Sequence, residues 1–186
     1  QSALQQNETA ANTAVGYTVA SNNTTGSGLT AMGYESLLSN TTGANNVAFG
    51  QQSLRGNTTG GTNTALGHLA LYTNTTASNN TAVSFQALYS NSSGTQNVGV
   101  GNNALYANTS GSYSTACGYN ALYANTSGVS NTAFGSYALD AMTTGNYNVA
   151  VGSGCLGAAS TGSRNVAVGT SALTDLTTAS NNTAVG

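Results

Sequence analysis

A single histidine, His68, two cysteines, Cys117 and Cys155, and four acids, Glu8, Glu35, Asp140 and Asp175, hold nearly all the acid–base, nucleophilic and metal-binding capacity of this sequence. What they could do depends on their spacing, and a fixed period sets that spacing. The motif Asn-Thr-Ala-Val-Gly and its variants close at Gly16, Gly33, Gly50, Gly67, Ser84, Gly101, Gly118, Gly135, Gly152, Gly169 and Gly186, each 17 residues after the last. Unbroken register of this kind marks a stacked repeat, where one extra residue would displace every side chain beyond it. We number rows 1 to 17 from the residue after each closing position.

On that grid the reactive residues lie apart. His68 stands in row 1, where other coils carry Tyr17, Tyr34, Gln51, Phe85, Asn102 and Tyr119, so no acid or thiol shares its row. A metal site or a catalytic triad needs such partners, and His68 reads as a plain surface residue. Paired-carboxylate chemistry needs two acids roughly 5 to 10 Å apart. Only Asp140 and Asp175 come near one another, in rows 5 and 6 two coils apart, and they read as surface acids. Cys117 in row 16 and Cys155 in row 3 are separated by two coils, about 10 Å, beyond the Cα spacing of a disulfide. They read as small apolar replacements, with an interchain bridge as the alternative. No enzyme, cofactor or metal is expected. With Arg55 and Arg164 as the only cations, phosphate neutralisation and hence nucleic-acid binding are excluded.

Three repeated rows carry the remaining chemistry. Tyr72, Tyr89, Tyr106 and Tyr123 fill row 5 in four consecutive coils. They form either an adhesion strip for a carbohydrate or surface, or a ladder that shields the rung edges. Rows 8 and 9 hold Thr or Ser in all ten full copies, as in Thr24-Thr25 and Ser92-Ser93. An ice-binding array calls for a flat outward plane of hydroxyls, which only one of two neighbouring rows in an extended chain could join, so hydroxyls capping a turn is the simpler expectation. Asn23, Asn40, Asn57, Asn74, Asn91, Asn108 and Asn125 in row 7 each begin an Asn-x-Thr/Ser sequon. They could carry sugars in a glycosylating host, or form an amide ladder from rung to rung.

The elements that would position these rows follow from the unit x-x-Ala-Leu-Tyr-x-Asn-Thr-Thr-Gly-x-x-Asn-Thr-Ala-Val-Gly. Seventeen residues are too few for a helical hairpin, but they hold two short strands and two turns. The fold expected is all-β: a parallel β-solenoid, or β-roll, of eleven coils with two short strands per coil, forming one repeat domain over residues 1–186. The expected core ladders are row 4 (Leu37, Leu54, Leu71, Leu88, Leu105 and Leu122) and row 16 (Val15, Phe49, Leu66, Val83, Val100, Phe134, Val151 and Val168). Row 14, always Thr or Val, shares the row 16 face and is expected to be buried with it. The small residues of rows 3 and 15 would then form an outer wall open to a neighbouring chain. Gly or Ala in row 10 and Gly in row 17 mark the corners, and the absence of proline leaves backbone N–H groups free for stacking. Eleven rungs at about 4.8 Å give a rod roughly 50 Å long. No apolar run approaches the roughly 20 residues of a membrane span.

The element Asn-Thr-Ala-Val-Gly followed by x-x-Ala-Leu, as in residues 131–139, resembles the head repeats of trimeric autotransporter adhesins and the repeats of tail-fibre-like proteins. The resemblance implies a parallel β-roll, a homo-oligomer with three chains around an axis, and attachment to a surface glycan or matrix component. The register also runs from the last coil into the first with one turn residue missing, so the chain is expected to be a window or subunit of a longer fibre. The function expected is an extracellular structural fibre or adhesin segment, on a cell or virion surface, that self-associates laterally or as a head-to-tail filament. The alternative is a ligand-binding solenoid, for ice or carbohydrate, using the Thr/Ser or Tyr rows.

Overall fold

The computed structural model of the chain describes residues 3–7 and 11–186. These residues are all-β and form a solenoid with one three-residue strand in each coil. The strands are β1 (Thr13–Val15), β2 (Thr30–Met32), β3 (Val47–Phe49), β4 (Thr64–Leu66), β5 (Thr81–Val83), β6 (Val98–Val100), β7 (Thr115–Cys117), β8 (Thr132–Phe134), β9 (Val149–Val151), β10 (Val166–Val168) and β11 (Thr183–Val185). They form a single parallel sheet in chain order. Each row pairs with itself, as in Thr30 with Val47, Ala31 with Ala48 and Met32 with Phe49.

The second strand expected in each coil is replaced by turns. Rows 2 and 4 there adopt left-handed backbone in coil after coil: Glu35 has φ 54°, Leu37 51°, Gln86 54° and Leu88 52°. An extended strand cannot alternate in this way, yet the segment still stacks by hydrogen bonds. Glu35 N–H donates back to Tyr17 O, while Leu37 and Ser39 N–H donate forward to Ser53 O and Arg55 O. A left-handed leucine costs about 1–2 kcal/mol. Burying its side chain returns about 1.5–3 kcal/mol. Leu37, Leu54, Leu71, Leu88, Leu105 and Leu122 are all fully buried, so the expected row 4 ladder is in place and burial offsets the backbone conformation.

The other half of the expected core is inverted. Row 16 faces solvent: Phe49 is 37% exposed and Phe134 44%, with Val15, Leu66, Val151 and Val168 likewise exposed and Val83 and Val100 half-buried. Row 14 lies half-buried or exposed on the same outer face. The inward residue of each strand is the row 15 alanine, and Ala48, Ala65, Ala82, Ala116, Ala133, Ala150 and Ala167 are fully buried. The reason is thickness. A Cβ placed on Gly99, the one glycine in that row, would stand 3.4 Å from Leu88 Cγ and 3.6 Å from its Cδ1. The row 4 leucine therefore fills the space across the coil, and only a methyl group or less fits opposite it. The small residues of rows 3 and 15 are the interior, not an outer wall.

The closing row needs glycine. Its glycines have φ from 127° to 144°, as at Gly33 and Gly67, and a Cβ on Gly33 would lie 2.6 Å from Gly50 O. Ser84 occupies the row with φ 107° and remains the one non-glycine there.

Candidate functional site

Beyond the alanine and leucine rows, the interior of each coil ends in amides. Asn23, Asn40, Asn57, Asn74, Asn91, Asn108 and Asn125 are fully buried. Each donates from Nδ2 to Oδ1 of the asparagine one coil earlier: Asn40 to Asn23 at 2.7 Å, Asn57 to Asn40 at 2.8 Å and Asn108 to Asn91 at 2.7 Å. The second amide hydrogen goes to the row 10 carbonyl of the same coil, as from Asn40 to Gly43 O at 3.0 Å. With both hydrogens committed inside the coil, these nitrogens have no route to a glycan in the folded chain. In the folded chain the row 7 asparagines form an amide ladder.

Row 13 makes a second ladder for which the sequence reading assigned no role. Asn46 Oδ1 accepts Asn63 N–H at 2.9 Å, and Asn46 Nδ2 donates to Gly60 O at 2.8 Å. The row 10 carbonyl is thus held from both sides, by row 7 of its own coil and row 13 of the coil before. The near-constant asparagine of the Asn-Thr-Ala-Val-Gly motif was the available signal. An amide repeated so regularly in a turn-flanking position, where exposed polar residues drift, points to a buried hydrogen-bonding duty.

The hydroxyl rows separate by function. Row 8 hydroxyls donate to the row 8 carbonyl of the next coil, as from Thr24 to Thr41 O and Thr41 to Thr58 O, both at 3.0 Å. The N–H groups of Thr24, Thr25 and Gly26 converge on that same Thr41 carbonyl. Row 8 caps the turn. Row 9, including Thr25, Thr42, Thr59, Ser93 and Thr144, is exposed in every coil from the second onward.

The four row 5 tyrosines stack face to face, with centroids 5.2, 5.2 and 5.1 Å apart and ring planes within 7° of parallel. Tyr72, Tyr89 and Tyr106 are half-buried and Tyr123 exposed. Charged residues occupy the same row on either side. Arg55 lies 5.8 Å from the Tyr72 centroid and its Nε is 2.8 Å from Glu35 Oε2. Gln52 Nε2 also reaches Glu35 Oε2 at 3.0 Å. These bonds from Gln52 and Arg55 hold the Glu35 carboxyl below the usual range. Beyond Tyr123 stands Asp140, whose carboxyl is pushed up by burial. Burial likewise raises the Tyr89 phenol. Sugar rings bind aromatic faces, and the stack covers the faces of the inner rings, so it offers edges and hydroxyls outward.

The remaining reactive groups stay scattered. His68 rests against Phe85 with centroids 5.6 Å apart. Cys117 and Cys155 are both free. Cys155 is buried, its Sγ 3.2 Å from Ala167 O, and burial pushes its thiol up. Glu8 lies outside the described residues. Among the described residues no three His, Cys, Asp or Glu side chains gather as a metal site, and no helix is long and apolar enough to cross a membrane.

The outer face of the sheet is also exposed. Rows 14 and 16 carry Thr, Val, Met, Phe, Leu and Cys and no charged residue, in all eleven strands. Tyr17, Tyr34, Phe85 and Tyr119 of row 1 border it at the corner and are exposed too. Comparisons with protein-family models, with curated proteins and with solved structures find no match for this chain.

Proposed function

We propose that this chain is a segment of an extracellular structural fibre or adhesin, on a cell or virion surface, that self-associates and has no catalytic role. The observation that carries the reading is the conversion of almost every polar row into rung-to-rung bonding. Row 7 and row 13 amides, row 8 hydroxyls and the backbone all bind the next coil, which is what a rod under load requires and what a ligand site does not. Stability in such a stack is a sum of neighbour contacts, so length can be extended without redesign. The near absence of charge supports the same reading, because cohesion then depends little on salt. Electron microscopy of the purified protein tests it. Uniform rods or filaments are expected, and a field of dispersed single solenoids at every concentration would overturn self-association.

A ligand-binding solenoid has one observation in its favour, the exposed Thr/Ser line of row 9. Thermal hysteresis that disappears when Thr42, Thr59 and Thr76 are replaced by Val would move the assignment to ice binding. For a surface glycan, a signal on a glycan array that depends on Tyr89 and Tyr106 would be needed.

A further inference from the structure

We infer that the far end of the tyrosine stack, where Tyr123 meets Asp140 beside Gly154 and Gly157, is a docking site for an arginine side chain of a partner protein. The inference adds a partner contact to the fibre or adhesin reading and stands whether or not copies of the chain associate. Row 5 runs from Arg55 through the four stacked tyrosines to Asp140 and Gly157 in seven consecutive coils.

The near end of that run shows what closes such a stack. Arg55 lies 5.8 Å from the Tyr72 centroid and its Nε bonds Glu35 Oε2 at 2.8 Å, so one guanidinium serves a ring face and a carboxylate together. Both groups favour a cation, because the face of the ring is the negative pole of its quadrupole and the carboxylate carries a full charge.

The far end has the ring and the carboxylate without the cation. Tyr123 is 38% exposed, the most open of the four, since a short aspartate follows it where the others have a ring on each side or Arg55. Asp140 is half-buried and has no counterion: among the described residues the one ion pair joins Arg55 to Glu35, and Arg164 lies over Tyr147 in row 12. Burial accordingly pushes the Asp140 carboxyl up.

The next coil leaves room for the missing group. Rows 2 and 5, side by side where Glu35 meets Arg55, are both glycine in the tenth coil, at Gly154 and Gly157. A Cβ on Gly154 would meet only Ser171 Oγ, at 3.6 Å, and one on Gly157 would stand 3.5 Å from Asp140 Oδ1. The carboxylate therefore borders an open notch one coil wide. Arginine suits it better than lysine, because a planar guanidinium can lie on a ring and fork onto a carboxylate at once. Both arginines of this chain already cover tyrosines of their own, so the occupant comes from a partner.

Saturation-transfer NMR with N-acetylarginine amide as the probe tests the site on the full chain, assembled or not. Saturable binding through the arginine side-chain protons is expected. Asp140→Asn and Tyr123→Leu should each weaken it at least about fivefold. N-acetyllysine amide should bind at least about threefold more weakly, and equal binding would overturn the choice of arginine. Gly157→Arg, which sets a guanidinium of the chain's own beside Asp140, should abolish probe binding and raise the thermal midpoint, a gain that should vanish when Asp140→Asn is added. Should Gly157→Arg fail to fold, the Asp140→Asn and Tyr123→Leu arms decide alone. No binding to wild type, or binding that Asp140→Asn and Tyr123→Leu leave unchanged, would overturn the site. Rods or filaments of Asp140→Asn should look like those of wild type in micrographs, so loss of this site and loss of self-association are read separately.

Discussion

The interior of each coil has two unlike edges. At one, row 15 alanines and row 4 leucines pack within van der Waals reach, and the only variation across row 15 is Gly99. At the other, row 7 changes from asparagine to Met142, Ala159 and Leu176 in the later coils, yet the turn survives. Asn74 N–H donates to Leu71 O at 3.2 Å, and Met142, Ala159 and Leu176 make the equivalent bond at 3.1, 3.1 and 3.2 Å. The apolar edge is governed by size and the amide edge by the continuity of a chain of bonds. Where row 7 loses its amides, the row 13 side-chain link is shorter: Asn148 Nδ2 reaches Asn131 Oδ1 at 3.1 Å and Asn165 reaches Asn148 at 3.1 Å, against 3.4 Å from Asn80 to Asn63 beside an intact row 7. At the changeover Asn125 Oδ1 is left buried without a donor, because Met142 stands where the next amide would be.

This contrast can be broken from either side. Leu105→Ala should be the most damaging change, costing about 4 kcal/mol in urea unfolding, since the left-handed backbone remains while the burial that offset it is lost. Next comes Asn74→Met, which strands Asn57 Oδ1 and one hydrogen of Asn91 Nδ2 and should cost about 3 kcal/mol. Asn125→Met sharpens the point. It removes the last member, moves the unpaired oxygen back one rung to Asn108, and should cost only about 1 kcal/mol. Equal losses at positions 74 and 125 would show that the amides act singly and that ladder continuity contributes nothing.

Ser84→Gly should stabilise by about 1 kcal/mol, as the closing row regains the residue its left-handed φ favours. The smallest effects follow two carboxylates, Asp140 beyond one end of the tyrosine stack and Glu35 paired with the Arg55 that borders the other. Asp140 is raised by burial, so the native state binds the extra proton between the ordinary carboxylate range and the raised value, and stability increases as pH falls through that window. Asp140→Asn should therefore raise the thermal midpoint at neutral pH, with the advantage shrinking on acidification. Glu35, held low by Gln52 and Arg55, has the opposite sign: it stabilises above its unfolded value and that contribution fades as pH falls through the depressed one. A midpoint series for Glu35→Gln should converge with wild type in acid.

Much of the architecture could be read from periodicity alone. The 17-residue step requires self-pairing rows, and self-pairing rows require a parallel sheet in chain order, which is what β1 to β11 form. The pairing of rows 14 and 16 on one face was also correct, as strand geometry demands. The face they occupy was not legible, because ranking residues by apolar volume places Phe49 and Val151 inside and Ala48 and Ala150 outside. Coil thickness reverses that ranking, and thickness is set across the coil by row 4, ten or more residues away in the chain. Left-handed backbone at rows 2 and 4 was equally hidden, since bulky Leu37 and polar Glu35 carry none of the usual glycine signal. For the site, the amide ladder of row 7 was one of two readings the sequence left open, and it is present in the fold. The duty of Asn46 or Asn63 in row 13 emerges only when the row 10 carbonyl is seen between the two amide lines.

The row 7 ladder also gives the rod a sense. From Asn23 to Asn125 every amide nitrogen points toward the earlier coil, where it meets the oxygen of the amide before it. Seven parallel dipoles in a shielded interior add head to tail, as peptide units do along a helix. The row 8 hydroxyls donate the other way, toward the later coil, so two lines of side-chain dipoles run in opposite senses along the same turn and each end of the stack exposes the donor of one and the acceptor of the other.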